Sequence, residues 1–349
     1  MLALRRGVVL VLGGAVAAVV SACTALAPTP AAPTPAPPIH IKVGDQMFAP
    51  LAPVYVAFDR GYFTAEGLDV ELVPMPDPTQ VVVLLSSGQL TFGCIGGDPA
   101  LFNAMARGIN VRLLAAAVSN GPTDRPAAFI MRPDLLDGGR YKNPSDLKGM
   151  TFAVPGPQGK FYINRLLTQG GLTDNDVTYV QLSLPDMLPA LQNKAIDGAW
   201  EVEPLVTLAE RQGFARTVAT TGQLFPGASA QVIATNPSFG AAQPEATRKF
   251  MSAFLHGLRD YYHAFNKRDA DRAPIIQAMV NHTPVKDPNL YEVIGMQSVD
   301  PNAMIDPASW DVYQDYYVNS GTSLQKVDLN MFIDRSFLNA ALDRVGREP

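Results

Sequence analysis

The sequence predicts an α/β fold of two similar halves, with mostly parallel sheets, helices on both faces and a helix-rich C-terminal third. Two observations carry this. Short apolar runs alternate with helical segments from Ile39 onward, and the series starts again after Asp146-Leu147-Lys148-Gly149.

In the first half, His40-Ile41-Lys42-Val43-Gly44 alternates like an opening strand, and Asp69-Val70-Glu71-Leu72-Val73 repeats the pattern. Asp77-Pro78 supplies a cap and a first helical position ahead of the apolar run Val81 to Leu85. Leu90 to Ile95 reads as a buried strand and Gly96-Gly97 as a tight turn. Asp98-Pro99 begins a helix that stops at Gly108, and Val111 to Val118 is a further strand. Such a unit sets helix N-terminal amides at the carboxyl end of a strand, where open α/β sheets keep their ligands.

The second series opens with a strand from Met150 to Val154, a loop from Pro155 to Gly159 and a helix from Lys160 to Gln169. Val177 to Leu182 follows as a strand, Asp186 to Ala195 as a helix and Gly198 to Glu201 as a strand end. Glu203-Pro204 then caps a helix running to Gly213. Beyond Pro244, Phe250, Phe254, Leu258, Tyr261 and Phe265 recur at helical spacing, as do Trp310, Tyr313 and Tyr317. These aromatics read as core packing, a helical layer added to the two halves.

The start of the chain reads as an export signal. Arg5 and Arg6 precede an apolar run of about 14 residues, Gly7 to Val20, too short to span a membrane, and Val20-Ser21-Ala22-Cys23 follows. That tetrapeptide resembles a bacterial lipobox, which makes Cys23 the expected lipidation site, residues 1–22 a lipoprotein signal peptide, and the protein an extracytoplasmic one anchored to the membrane by acyl chains. Residues 23–38 are almost wholly Ala, Pro and Thr, the composition of an extended tether. The other cysteine, Cys94, then has no disulfide partner within the chain, and it reads as a small buried hydrophobe. A net charge of −5 without a basic stripe argues against a nucleic-acid partner. No His or Cys spacing suits a metal, and His256 and His263 stand too far apart on one helix to share one. No cofactor is expected.

The run Tyr55-Val56-Ala57-Phe58-Asp59-Arg60-Gly61-Tyr62-Phe63-Thr64-Ala65-Glu66-Gly67-Leu68-Asp69-Val70-Glu71-Leu72 resembles the opening of the SsuA/THI5-like (NMT1-like) proteins, periplasmic binders of sulfonates, taurine, nitrate or thiamine precursors. Leu85-Ser86-Ser87-Gly88-Gln89-Leu90-Thr91-Phe92-Gly93, Asp146-Leu147-Lys148-Gly149 and Ile196-Asp197-Gly198-Ala199-Trp200-Glu201 continue the resemblance in the family's order. Thr91 departs from it, since an Asp commonly follows the Gly-Gln-apolar triplet. The resemblance implies a two-lobed type II periplasmic-binding (Venus-flytrap) fold. Lobe 1 would combine 39–132 with 235–349, and lobe 2 would be 133–234. The crossing strands would be Ala127 to Met131 and Gln231 to Ala234. It also implies a monomer that binds a small molecule and delivers it to an ABC permease and its ATPase.

A hinged clamp takes its ligand at strand ends, between lobes. From lobe 1 the expected contacts are Gln46 and Phe48 after the first strand, Gly96 and Gly97, where the backbone can approach closely, Asp98, and Ser119-Asn120. From lobe 2 they are Gln158, Lys160, Trp200 as a stacking surface, Glu201 and Glu203. Asp98 and Glu203 could equally be helix caps. Asp45, Asp98, Glu201 and Glu203 outweigh Lys160, which points to a neutral or basic nitrogen heterocycle, such as a thiamine pyrimidine precursor or a flavin, rather than to a sulfonate, taurine or nitrate. A ligand-sensing module is the alternative use of such a clamp. Pyrimidine-forming enzymes also resemble this chain, but their cysteine-rich motif is missing here.

Overall fold

The computed structural model describes residues 37–75, 80–109 and 111–349, together with Gly7 and Leu10. Cys23, the tether up to residue 36 and the Asp77-Pro78 pair lie outside the described residues.

Among the described residues the strands form two five-stranded sheets. The first holds β1 (Ile39–Asp45), β2 (Leu68–Pro74), β3 (Phe92–Gly96) and β4 (Arg112–Ser119). The second holds β5 (Ala127–Met131), β6 (Thr151–Val154), β7 (Thr178–Gln181), β8 (Gly198–Val202) and β9 (Arg216–Thr220). The last strand, β10 (Ser229–Thr235), returns to the first sheet. The spatial orders are β2-β1-β3-β10-β4 and β7-β6-β8-β5-β9, so one pattern is used twice. β1 runs parallel to β2 and β3, with Val43 opposite Leu72, and β6 runs parallel to β7 and β8. β10 runs antiparallel to both of its neighbours, and so does β5. β3 and β4 are apolar along most of their length because both of their faces are covered.

The chain therefore passes between halves before each antiparallel strand, in residues 120–126 and 221–228. The expected boundaries at 132 and 234 assigned β5 to lobe 1 and β10 to lobe 2, whereas their hydrogen bonding puts each in the opposite sheet. The two passages lie side by side. Asn120 N donates to the Ala228 carbonyl at 2.9 Å, Gly227 N to the Asn120 carbonyl at 2.6 Å, and Gly222 N to the Asp124 carbonyl at 3.2 Å. A Cβ on Gly222 would stand 2.3 Å from the Gly121 carbonyl oxygen, so the backbones touch where only glycine fits.

The aromatic helices pack as their spacing predicts. Phe250, Phe254, Leu258 and Tyr261 bury their side chains in the core of the first half, with Phe250 stacked on Phe92 at 3.8 Å. Helix Pro307–Asn319 lies against β10 and buries Trp310, Tyr313 and Tyr317 in a core that also includes Phe129, Phe152 and Phe161 of the second half. The Tyr162 and Tyr313 hydroxyls meet at 2.7 Å, and Tyr316 donates to Asp174 at 2.7 Å. The helix expected from Lys160 begins earlier, at Pro157, because proline at a first helical position costs no hydrogen bond. That brings Gln158, Gly159 and Lys160 into its first turn.

Gly222→Ala should lower stability by about 1–3 kcal/mol, since the methyl group meets backbone that cannot yield. Urea unfolding followed by far-UV circular dichroism measures this; an unchanged midpoint would show that the passages have room to separate.

Candidate functional site

The carboxyl ends of β1 and β3 face those of β6 and β8 across a cleft of about 840 Å³, counting its open mouth. The first half contributes Gln46, Phe48, Gly96 and Asp98, and the second contributes Gln158, Trp200 and Val202. Met75, Val82, Ile95 and Leu184 supply apolar wall, and Gln231 of β10 joins from the centre of the first sheet. A smaller chamber forms the floor and contains Asn120, Tyr162 and Thr221. An alcove toward Pro284 and Val285 contains Glu203. Among the described residues lining cleft, floor and alcove, none is Lys, Arg or His.

Hydrogen bonds fix how these groups are presented. Gln46 Nε2 donates to the Cys94 carbonyl at 2.8 Å, and Cys94 Sγ donates to Gln231 Oε1 at 3.2 Å. Gln158 crosses the cleft, donating to the Ala230 carbonyl at 3.3 Å, and a Cβ on Gly96 would stand 2.6 Å from its Nε2. Asp98 Oδ1 accepts from Ala100 N at 2.7 Å, capping helix Pro99–Ala106, while the residue also lines the cleft. Trp200 is only 4% exposed, and its indole lies flat on Tyr162, 4.5 Å between centroids and 3° from parallel. The stacking surface expected for a ligand is thus partly taken by a tyrosine of helix Pro157–Gln169.

The fold is shared with solved structures. The nitrate-binding protein NrtA from Synechocystis PCC 6803 superposes with a TM-score of 0.75 at 16% identity, covering 88% of this chain and 89% of that one. The family model described as NMT1/THI5 like matches residues 49–264. This chain belongs to the NMT1/THI5-like family. Among its relatives, the riboflavin-binding protein RibY of Chloroflexus aurantiacus is 29% identical over 72% of this chain and 73% of its own. The 4-amino-5-hydroxymethyl-2-methylpyrimidine phosphate synthase of Aspergillus parasiticus is 28% identical over 58% of this chain, a match that spans 60% of the synthase.

Within this NMT1/THI5-like cleft the structure gathers Gln46, Phe48, Gly96, Asp98, Gln158 and Trp200, with Asn120 on the floor. Four expected contacts lie elsewhere. Lys160 turns to the outside, its Nζ 4.7 Å above the Tyr179 ring, because the helix that begins at Pro157 rotates it away from Gln158. Gly97 is shut in by Tyr313, and its carbonyl accepts from Tyr317. Ser119 ends β4 and bonds through its backbone to Ser298. Glu201 alternates to the face of β8 opposite Trp200 and is 0% exposed, and burial pushes its carboxyl well above the usual range.

Glu203 reaches the alcove, but its carboxyl is committed to structure. It accepts from Thr207 N at 3.0 Å, Thr207 Oγ1 at 2.8 Å and Gly295 N at 3.1 Å, with Arg125 at 3.5 Å. Gly295 belongs to the C-terminal segment and Thr207 to the second half, so one buried carboxyl holds both. Gln231, Leu184, Met75 and Thr221 were not foreseen. Gln231 had a signal, as the one polar side chain between Ala230 and Val232-Ile233. Burial likewise raises the Cys94 thiol, which stays protonated. Amides, aromatics and one carboxylate equip the cleft to hold a neutral or positively charged group.

Burial pushes the Glu203 carboxyl up to about 7 from its ordinary 4.5, against the pull of its donors and Arg125. A folded state that binds the proton more tightly than the unfolded one loses stability as pH rises through that window, by up to about 3 kcal/mol. Glu203→Gln should therefore gain on the wild type between pH 4.5 and pH 7.5 in urea unfolding. Parallel stability profiles would mean that the carboxyl titrates at its ordinary value.

Proposed function

We propose that this chain is the extracytoplasmic solute-binding component of an ABC-type importer, and that it captures a small neutral or cationic nitrogen heterocycle of the thiamine-precursor or flavin kind. The observation that carries the ligand class is the cleft lining: Gln46, Gln158, Gln231 and Asp98 beside Phe48 and Trp200, without a cationic side chain among the described residues. A sulfonate or nitrate ion left there would have no opposite charge to offset its lost hydration. A heterocycle offers ring faces to the aromatics and N–H groups to the amide oxygens and the carboxylate. The likeness to RibY over most of both chains supports the same class.

The lipobox at Cys23 and the Ala/Pro/Thr tether support attachment to the outer face of a membrane, with the clamp free to reach its permease. A catalytic reading draws on the synthase relatives. The buried, protonated Cys94 offers no nucleophile for one, and the synthase match covers only part of either chain.

Calorimetric titration of the purified protein should show saturable binding of 4-amino-5-hydroxymethyl-2-methylpyrimidine or of riboflavin, and none of nitrate or taurine. The reverse pattern would overturn the ligand class, and turnover of a bound pyrimidine would overturn the binding-only reading. Phe48→Ala should weaken the heterocycle about tenfold, the loss of roughly 1.4 kcal/mol of ring contact.

A further inference from the structure

β1 ends on Asp45, whose side chain does not line the cleft but turns into the first half, 6% exposed. Its Oδ1 accepts from Met47 N at 2.8 Å and from the Tyr55 hydroxyl at 2.6 Å. Tyr55 is buried and stacked on His282 at 4.9 Å, and His282 Nε2 meets Asp59 Oδ1 at 2.6 Å. The hydroxyl that holds Asp45 is thus itself held. Met47 has φ 55°, in the left-handed region that is costly for a residue with a side chain. Three other described non-glycine residues share that conformation, Lys194, Arg268 and Ala303, and none of them lines the cleft, its floor or its alcove. Met47 stands between Gln46 and Phe48, the two first-half residues that line both cleft and alcove.

We infer that Asp45 is a positioning residue for the cleft, a role that rests on reading the cleft as a ligand site. It touches no ligand. By holding Met47 in its left-handed turn, it fixes how Gln46 and Phe48 are presented to one. Relaxing Met47 to an ordinary negative φ rotates the chain beyond it by on the order of 100° about a single bond. Gln46 is tied independently, through its bond to the Cys94 carbonyl, so the residue such a rotation re-aims is Phe48.

The test removes the acceptor with Asp45→Ala, combined with Tyr55→Phe so that no buried hydroxyl is orphaned, and then adds Met47→Gly, because glycine takes a left-handed φ freely. Two measurements are made on each protein: deuterium exchange without ligand, and calorimetric titration with 4-amino-5-hydroxymethyl-2-methylpyrimidine, riboflavin, taurine and nitrate. In the double variant, exchange across residues 46–51 should quicken about tenfold while β3 and β10 keep the wild-type rate. The affinity of whichever compound binds should fall about tenfold, and Met47→Gly should return most of it without restoring the urea midpoint. Asp45→Asn keeps the shape and weakens the acceptor, so it should move both readouts the same way by a smaller factor. That variant keeps the test open if the double variant fails to fold. Unchanged exchange across 46–51, or a lost affinity that Met47→Gly does not return, would overturn the role of Asp45. If the wild type binds none of the four compounds, the ligand reading above falls, and the exchange result alone decides whether Asp45 holds the turn.

Discussion

Each sheet of this protein depends on a strand that arrives from the other side. β10 pairs with β3 and β4 after the chain has built the second half, and β5 pairs with β8 and β9 after the chain has left the first. Neither sheet is continuous without its antiparallel member, so the chain must pass between halves twice, and the two passages must lie close together. The contacts of Gly121 with Gly222, and of Asn120 with Gly227 and Ala228, follow from that constraint. So does the cleft, which is the space left between facing strand ends.

The polar groups around the passages are correspondingly well satisfied. Asp124 Oδ2 accepts from Gly121 N at 2.6 Å and Ser298 N at 2.5 Å, which binds the first passage to the C-terminal segment. Arg125 extends the other way, to Glu210 at 3.0 Å and Thr207 at 3.2 Å. Glu203 closes the circuit through Gly295. Nearby, Asn120 Oδ1, Thr221 Oγ1, Glu201 Oε2 and Gln297 Oε1 are buried without a partner among the described residues.

Much of the architecture was legible in the sequence because it rests on local signals. The alternation in His40 to Gly44, the Asp98-Pro99 cap and the helical spacing of Phe250 to Tyr261 each depend on neighbours within one element. The site was legible only where a residue's position along a strand or turn fixes its direction, as for Gln46, Phe48 and Asp98. Glu201 escaped because one residue of alternation separates it from Trp200, and the pattern Gly198-Ala199-Trp200-Glu201 does not say which face is which. Lys160 escaped because the helix already begins at Pro157, which sets Lys160 about 200° around the helix from Gln158. Gln231 and Thr221 belong to the cleft only through long-range pairing of β10 and the closeness of the passages, which periodicity does not encode.

Two helices begin at the cleft, Pro99–Ala106 and Pro157–Gln169. A helix N-terminus presents unpaired amides and attracts negative charge. In helix Pro99–Ala106 that attraction is already met by Asp98, whose carboxylate accepts from Ala100 N. Helix Pro157–Gln169 begins after Gly156, which has no side chain to cap its first amides, those of Gln158 and Gly159. The cleft thus sets an occupied, acidic helix start in one half against an open, donating one in the other. An anion finds its attraction on one side only, with a carboxylate opposite. The heterocycle proposed as ligand, with acceptor nitrogens on one edge and N–H groups on another, would match both sides at once. The proposed ligand class therefore turns on the cap at Asp98, which answers one helix start and leaves the other without a carboxylate.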